Sequence, residues 1–350
     1  MSKRKSVLML GPHIDMQGGI ASVINNYLQG GLLNVCDLKI ISTACEGSYL
    51  RKASFLLSAY QQYVNVIDFV DVIHIHVAMR NSFERKCIFA KIAKKKGKKI
   101  VLHEHDGEFA ELYERGNKKY KERVKEFFSW ADAVVVLSKE WADYFSDNIC
   151  DRKKICVVHN AVMIPNSITD VYNNNNVLFL GRLSPRKNPQ VLLEAASIVL
   201  KNGLSTRFRF AGDGDVEKYK AIATKLGIQE YCDFLGWVAD KDRENLIKDS
   251  GIFCLPSQNE GMPMSLLEAM SYGLPCIVTP VGGIPQVIRS NQNGYLVDKN
   301  DVTGIVSSLN ELITAPSVRV KIGKEARKTI EERFSISQNI SRLAMLYEQL

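Results

Sequence analysis

The chain has no apolar run near the roughly 18 residues that a bilayer span needs. Its first apolar segment, residues 7–11, is too short for the core of a secretion signal. The reading is therefore a cytoplasmic protein, either soluble or peripheral on the inner face of the cell membrane. The eight cysteines form no C-x-x-C pair and no Cys/His cluster at zinc-ligand spacing. Scattered thiols of this kind suit a reducing compartment. No Gly-x-Gly-x-x-Gly follows either opening strand, which argues against a nicotinamide-dependent dehydrogenase. No repeat with a period of about 20–50 residues is present, so a solenoid is not expected. Aromatic residues do not interleave with the lysine clusters as a base-stacking platform requires, and no nucleic-acid partner is expected.

What is present suits two domains: 350 residues, of which 46% are hydrophobic. The net charge of +8 is uneven, because residues 1–170 hold 25 Lys/Arg against 19 Asp/Glu. The excess gathers at Arg85, Lys86, Lys91, Lys94, Lys95, Lys96, Lys98 and Lys99, and again at Lys118, Lys119, Lys121, Arg123 and Lys125. The plain reading is the solvated faces of ordinary helices. The sharper one is attraction to an anionic membrane surface or to a pyrophosphate-linked acceptor.

Short apolar runs alternate with helix-like segments throughout, the signal for βαβ units and parallel sheets. Strand candidates fall at residues 7–11, 38–43, 72–77, 99–103, 133–137 and 155–158. A second set falls at 177–181, 207–211, 232–235, 252–255, 276–279 and 295–297. The runs are nearly continuous in apolar residues, as strands covered on both faces must be. The tract Asn173-Asn174-Asn175-Asn176 has no periodicity and precedes a fresh strand. The expected division is an N-terminal domain over 1–170, a linker over 171–176, a C-terminal domain over 177–332, and a final helix over 333–350 with the option of packing back on the first domain. Each half reads as a Rossmann-like, doubly wound α/β domain, and two in tandem imply a site in the cleft between them.

Four features of the second half converge on one kind of ligand. Gly181-Arg182-Leu183-Ser184-Pro185-Arg186-Lys187 follows a strand and sets Arg182 and Lys187 above the sheet, where a diphosphate can lie. Glu260 and Glu268 flank Gly261, Met262 and Pro263, with Pro263 suited to the first turn of a helix. The amides of that turn, at Ser265 and Leu266, make an anion site. Glycines in Val281-Gly282-Gly283-Ile284-Pro285 allow close backbone approach. Gly236-Trp237-Val238 follows another strand, where backbone groups can meet a base edge, with Trp237 read mainly as a packing residue.

The run Gly-Arg-Leu-x-x-x-Lys, Ala-Gly-Asp-Gly, Gly-Trp-Val and Glu-Gly-x-Pro-x-x-x-x-Glu-Ala-Met resembles family 4 glycosyltransferases of the GT-B fold. The resemblance implies a donor site in which Arg182 and Lys187 hold the pyrophosphate, helped by Ser265, Leu266 and Gly19. Glu268, Trp237 and Val238 would meet the ribose and base. Glu260 would line the reacting sugar, beside the loop of Gly261, Met262 and Pro263. It also implies retention of anomeric configuration without a metal or other cofactor. Asp213-Gly214-Asp215 and Asp240-Lys241-Asp242 spell D-x-D, but the first lies in the Ala-Gly-Asp-Gly turn, a structural position in the resembled family.

In the first half, Gly18-Gly19-Ile20 opens a helix after the first strand. His105, four residues before Phe109, resembles the family His-Gly-x-x-Phe position, with Asp106 in place of the glycine. It is the candidate catalytic histidine of this half, alongside Glu260 in the other. His103 reads as a hydrogen-bonded core histidine, and His74 and His76, which alternate within a strand, as structural, with the alternative that one of them faces the cleft. His159-Asn160-Ala161-Val162 resembles the family turn that closes the first domain. The stretch Ser82-Phe83-Glu84-Arg85-Lys86 resembles members acting in surface-polysaccharide assembly, such as O-antigen or capsule. The function expected is transfer of a sugar from a nucleoside-diphosphate donor, by family habit a UDP-sugar, to a glycan or lipid-linked glycan acceptor. The alternatives are a sugar-nucleotide epimerase on the same fold and a non-catalytic sugar-nucleotide-binding protein.

Overall fold

The computed structural model describes residues 4–166, 168, 174–238 and 240–350. The chain divides into two compact units, Met1–Ala161 with Ile336–Leu350, and Val162–Ser335. The first unit holds β1 (Ser6–Gly11), β2 (Asp37–Ser42), β3 (Val72–Val77), β4 (Lys99–Glu104), β5 (Ala133–Val136) and β6 (Ile155–Val157). The second holds β7 (Val177–Leu180), β8 (Phe208–Ala211), β9 (Cys232–Gly236), β10 (Ile252–Leu255), β11 (Cys276–Val278) and β12 (Tyr295–Leu296). Every apolar run read as a strand is one.

Both sheets are parallel and six-stranded, in the orders β2-β1-β3-β4-β5-β6 and β12-β11-β10-β7-β8-β9. Central strands such as β3 are buried along their whole length, including His74 and His76, while edge strand β2 fully buries only Ile41. The strand order reverses between β1 and β3 in one sheet and between β7 and β10 in the other. Ligands of doubly wound sheets bind at the carboxyl ends of the strands flanking such a reversal. The residues that follow β7 and β10 are therefore the ones to inspect, and likewise those after β1 and β3.

The division between the units falls at Ala161 and Val162, not in the asparagine tract. Residues 171–173 of the expected linker lie outside the described residues. Asn174, Asn175 and Asn176 are tied into the second unit, where Asn175 Nδ2 donates to the Ser205 carbonyl and Asn176 O accepts from Gly251 N. The helix Ile336–Gln349 belongs to the first unit and buries Ile340, Leu343, Leu346 and Tyr347. Among the described residues, no helix is long and apolar enough to cross a membrane.

Candidate active site

At the reversal of the second sheet, the loop after β7 and the loop after β10 meet. The chain leaves β7 through Gly181, turns through Lys187 N–H to Ser184 O, and enters the helix Pro189–Lys201. This turn sends the Lys187 side chain back over Gly181. Its Nζ lies 2.5 Å from Glu260 Oε1, which also accepts from Ser257 Oγ at 2.6 Å. Arg186 Nη1 stands 3.6 Å from Glu260 Oε2 and donates to the Asn259 carbonyl. Burial pulls the Lys187 ammonium below the ordinary lysine value, and the Glu260 carboxylate opposes that shift. Glu260 is only 5% exposed, and two cations and a hydroxyl surround its carboxylate.

Two glycines allow the backbones to crowd here. A side chain at Gly282 (φ +53) would strike the Glu260 carbonyl, and one at Gly212 (φ +157) would strike that of Gly181. Gly283 N donates to Gly261 O at 2.6 Å, which fixes the loop of Gly261, Met262 and Pro263 against the following strand's loop.

Arg182 has a different status from Lys187. Its side chain is 67% exposed and among the described residues its ion-pair contact is Asp213 at 3.8 Å, so it remains available to an anion. The helix Met264–Ser271 begins one residue later than expected, with Pro263 as its N-cap rather than in its first turn. No side chain caps this end, which leaves the Ser265 and Leu266 amides in an uncapped first turn. Glu268, one turn in, is mostly buried, with Arg243 Nη1 at 3.7 Å. Trp237 is 42% exposed, so the packing role expected of it is not seen, and Val238 beside it is half-buried. In the D-x-D decoy, Asp213 contributes its carbonyl to Leu183 N and its carboxylate faces Arg182.

In the first unit, Gly18 caps and Gly19 starts the helix Gly19–Gln29, with open space around both. His105 follows β4 and is half-buried, its Nε2 lying 2.8 Å from His76 Nδ1. Asp106, standing in place of the expected glycine, accepts from the amides of Met79 and Glu108. Its carboxylate therefore ties the end of β3 to the loop after β4, a task that glycine cannot do. His159 Nδ1 bonds the Leu137 carbonyl, while Asn26 and Asn339 donate to the carbonyls of Ala161 and His159. That turn is structural. Lys86 corrects the reading of its cluster as a solvated face. It is buried, burial pushes its pKa well below the usual lysine value, and its hydrogen bond among the described residues goes to Thr43 Oγ1 at 2.6 Å.

Two doubly wound parallel sheets, the second gathering cations and carboxylates at its reversal point, define a glycosyltransferase of the GT-B fold. The model of the glycosyl transferases group 1 matches residues 165–329, and that of glycosyltransferase family 4 matches residues 40–164. The chain belongs to the family 4 glycosyltransferases. It is 28% identical over 329 residues to the UDP-Gal:alpha-D-GlcNAc-diphosphoundecaprenol alpha-1,3-galactosyltransferase of Escherichia coli, covering 88% of this chain and 82% of that protein. In fold it resembles HepE of Anabaena in complex with UDP and glucose, at a TM-score of 0.79, 17% identity, and 99% and 100% coverage. The sucrose-phosphate synthase of Thermosynechococcus elongatus matches at a TM-score of 0.80 and 15% identity, covering 99% of each chain.

Proposed function

We propose that the chain is a retaining, metal-independent hexosyltransferase that moves a sugar from a UDP-sugar to a lipid-linked glycan at an anionic membrane surface. The buried Lys187–Glu260–Ser257 group, beside the exposed Arg182 and the uncapped helix Met264–Ser271, carries this reading. When the bond from the anomeric carbon to the diphosphate breaks, negative charge grows on the leaving group. Arg182, Lys187 and the amides of Ser265 and Leu266 meet it without a metal. A bond to an acceptor hydroxyl forms, and the hydroxyl proton leaves on a phosphate oxygen. Glu260 positions the sugar, Glu268 binds ribose, and His105 serves the acceptor side. The uridine nucleotide is supported by the UDP and glucose held by HepE, and the acceptor class by the diphosphoundecaprenol in the E. coli relative's name.

The membrane part of the reading rests on the helix Tyr49–Val66. Tyr49, Leu50, Leu57, Tyr60 and Val64 are exposed on it, Tyr49 by 85%, and Arg51 and Lys52 are its only charged residues. An apolar stripe with basic residues and no acid suits an anionic interface.

The test is transfer of label from UDP-galactose, UDP-glucose or UDP-N-acetylglucosamine to an undecaprenyl-diphosphate-linked sugar, in EDTA. The expected result is transfer from one donor, with the α linkage of the donor kept in the product. Inversion, or transfer only with added divalent metal, would overturn the mechanism.

A further inference from the structure

We propose that the histidines of β3 and β4 form a tautomer lock, in which His76 places the single proton of His105 on Nδ1 and makes that ring a neutral hydrogen-bond donor. The inference rests on the reading of His105 as the acceptor-side histidine, and it assigns His76 as its positioning residue.

Parallel pairing sets His76 of β3 directly opposite His103 of β4. Side chains alternate along a strand, so His74, His76, His103 and His105 share one face of the sheet. Their rings stack, at centroid distances of 4.7 Å for His74 and His76 and 4.1 Å for His103 and His105. Two hydrogen bonds join them in pairs, His76 Nδ1 to His105 Nε2 at 2.8 Å and His74 Nε2 to His103 Nδ1 at 3.2 Å. His74 Nδ1 lies 2.6 Å from the hydroxyl of Tyr347, on the helix Ile336–Gln349. Burial holds all four rings below the ordinary histidine pKa, and repulsion from neighbouring rings adds to it for His76, His103 and His105, so each is neutral and carries one N–H.

The place of each proton follows from the two ring nitrogens left over. His76 Nε2 and His103 Nε2 are buried with no partner among the described residues. An orphaned buried N–H is rarer in proteins than an under-satisfied acceptor, so these two atoms hold bare lone pairs. The His76 proton then sits on Nδ1 and is donated to His105 Nε2. His105, with Nε2 accepting, carries its own proton on Nδ1. The other pair resolves without conflict: His103 Nδ1–H donates to His74 Nε2, and His74 Nδ1–H donates to the Tyr347 oxygen. His105 Nδ1 has no protein partner among the described residues, and its N–H is left for a ligand oxygen. A neutral ring offers that N–H without the charge an imidazolium would bring to the acceptor side.

The same cluster has a rival use. His74, His76 and His103 each offer a ring nitrogen within 4.8 Å of the others, a spacing within reach of a metal ion. No carboxylate joins them, the His74–His103 bond occupies one lone pair, and the Lys86 charge acts on His76. These observations favour proton placement.

The deciding experiment is a long-range proton–nitrogen correlation spectrum of the full chain with ¹⁵N-labelled histidine and no substrate, with His105 assigned by its loss in His105→Asn. The expected spectrum shows His105 protonated at Nδ1. In His76→Asp, whose carboxylate accepts, its proton moves to Nε2. In His76→Asn, whose amide nitrogen replaces Nδ1, it stays on Nδ1. Transfer should fall on the order of 10²-fold in His76→Asp, as when one positioned hydrogen-bond donor is lost, and recover in His76→Asn. A wild-type His105 protonated at Nε2, an unchanged tautomer in His76→Asp, or one zinc bound per chain would overturn the proposal. The spectrum needs no donor or acceptor, so absence of transfer by the wild type would count against the proposed function alone.

Discussion

The two reversal points handle buried polarity in opposite ways. In the second unit, an acid and a base meet: Lys187 and Glu260 are both nearly excluded from water and lie within hydrogen-bond distance of each other. In the first unit, four imidazoles sit together with no acid among them, and burial keeps them neutral. A paired site suits a ligand whose charge changes during reaction. A neutral cluster suits the placing of hydrogen bonds. The comparison teaches that charge at one site and tautomer at the other are set by the same force, desolvation, with a counter-ion present in one case and absent in the other.

The sharpest way to break this comparison is to delete one partner from each site. Glu260→Ala strands Lys187 in a dry pocket and should cost about 3–5 kcal/mol of stability. His103→Asn removes a bond between neutral groups and should cost about 1 kcal/mol. Urea unfolding followed by circular dichroism reads both, and equal losses would show that charge pairing does not distinguish the sites.

A graded effect lies in acid. The unfolded-state histidine value is 6.5, while His74 and His105 fall to about 3 in the folded chain. Between those values the unfolded chain binds more protons, so stability declines as pH drops from 6.5 toward 3. Each histidine removed from the cluster should flatten that decline by up to about 1.4 kcal/mol per pH unit. Unfolding midpoints of His74→Asn and wild type across this window check it, and parallel slopes would mean that the imidazoles are charged when folded.

The strands were legible because a buried parallel strand must be apolar on both faces, and all the runs announced themselves. The domain boundary was not. Polar composition suggests exposure, yet Asn174, Asn175 and Asn176 are half-buried and hydrogen-bonded within the second unit. Arg182, Lys187, Glu260 and Glu268 were visible as residue types in a motif, yet contact between Lys187 and Glu260 spans 73 positions and belongs to the strand order. His76 looked structural because its partner, His105, depends on the pairing of β3 with β4. Lys86 looked like one more exposed lysine in a run of them, although Phe83, Phe89, Ala90 and Ala93 at helical spacing around it mark the inward face of the helix Asn81–Lys95.

Arg182 tests the central claim with the smallest structural disturbance. It is exposed and weakly paired, so Arg182→Ala should change stability by no more than about 0.5 kcal/mol. The measurement is calorimetric titration of UDP into wild type and Arg182→Ala, in EDTA. The account predicts that the wild type binds UDP and that the variant, with unaltered Tm, binds it about tenfold or more weakly, as loss of a charge-assisted phosphate contact implies. Equal affinity in both proteins, or no binding by the wild type, would contradict the assignment of the donor to this site.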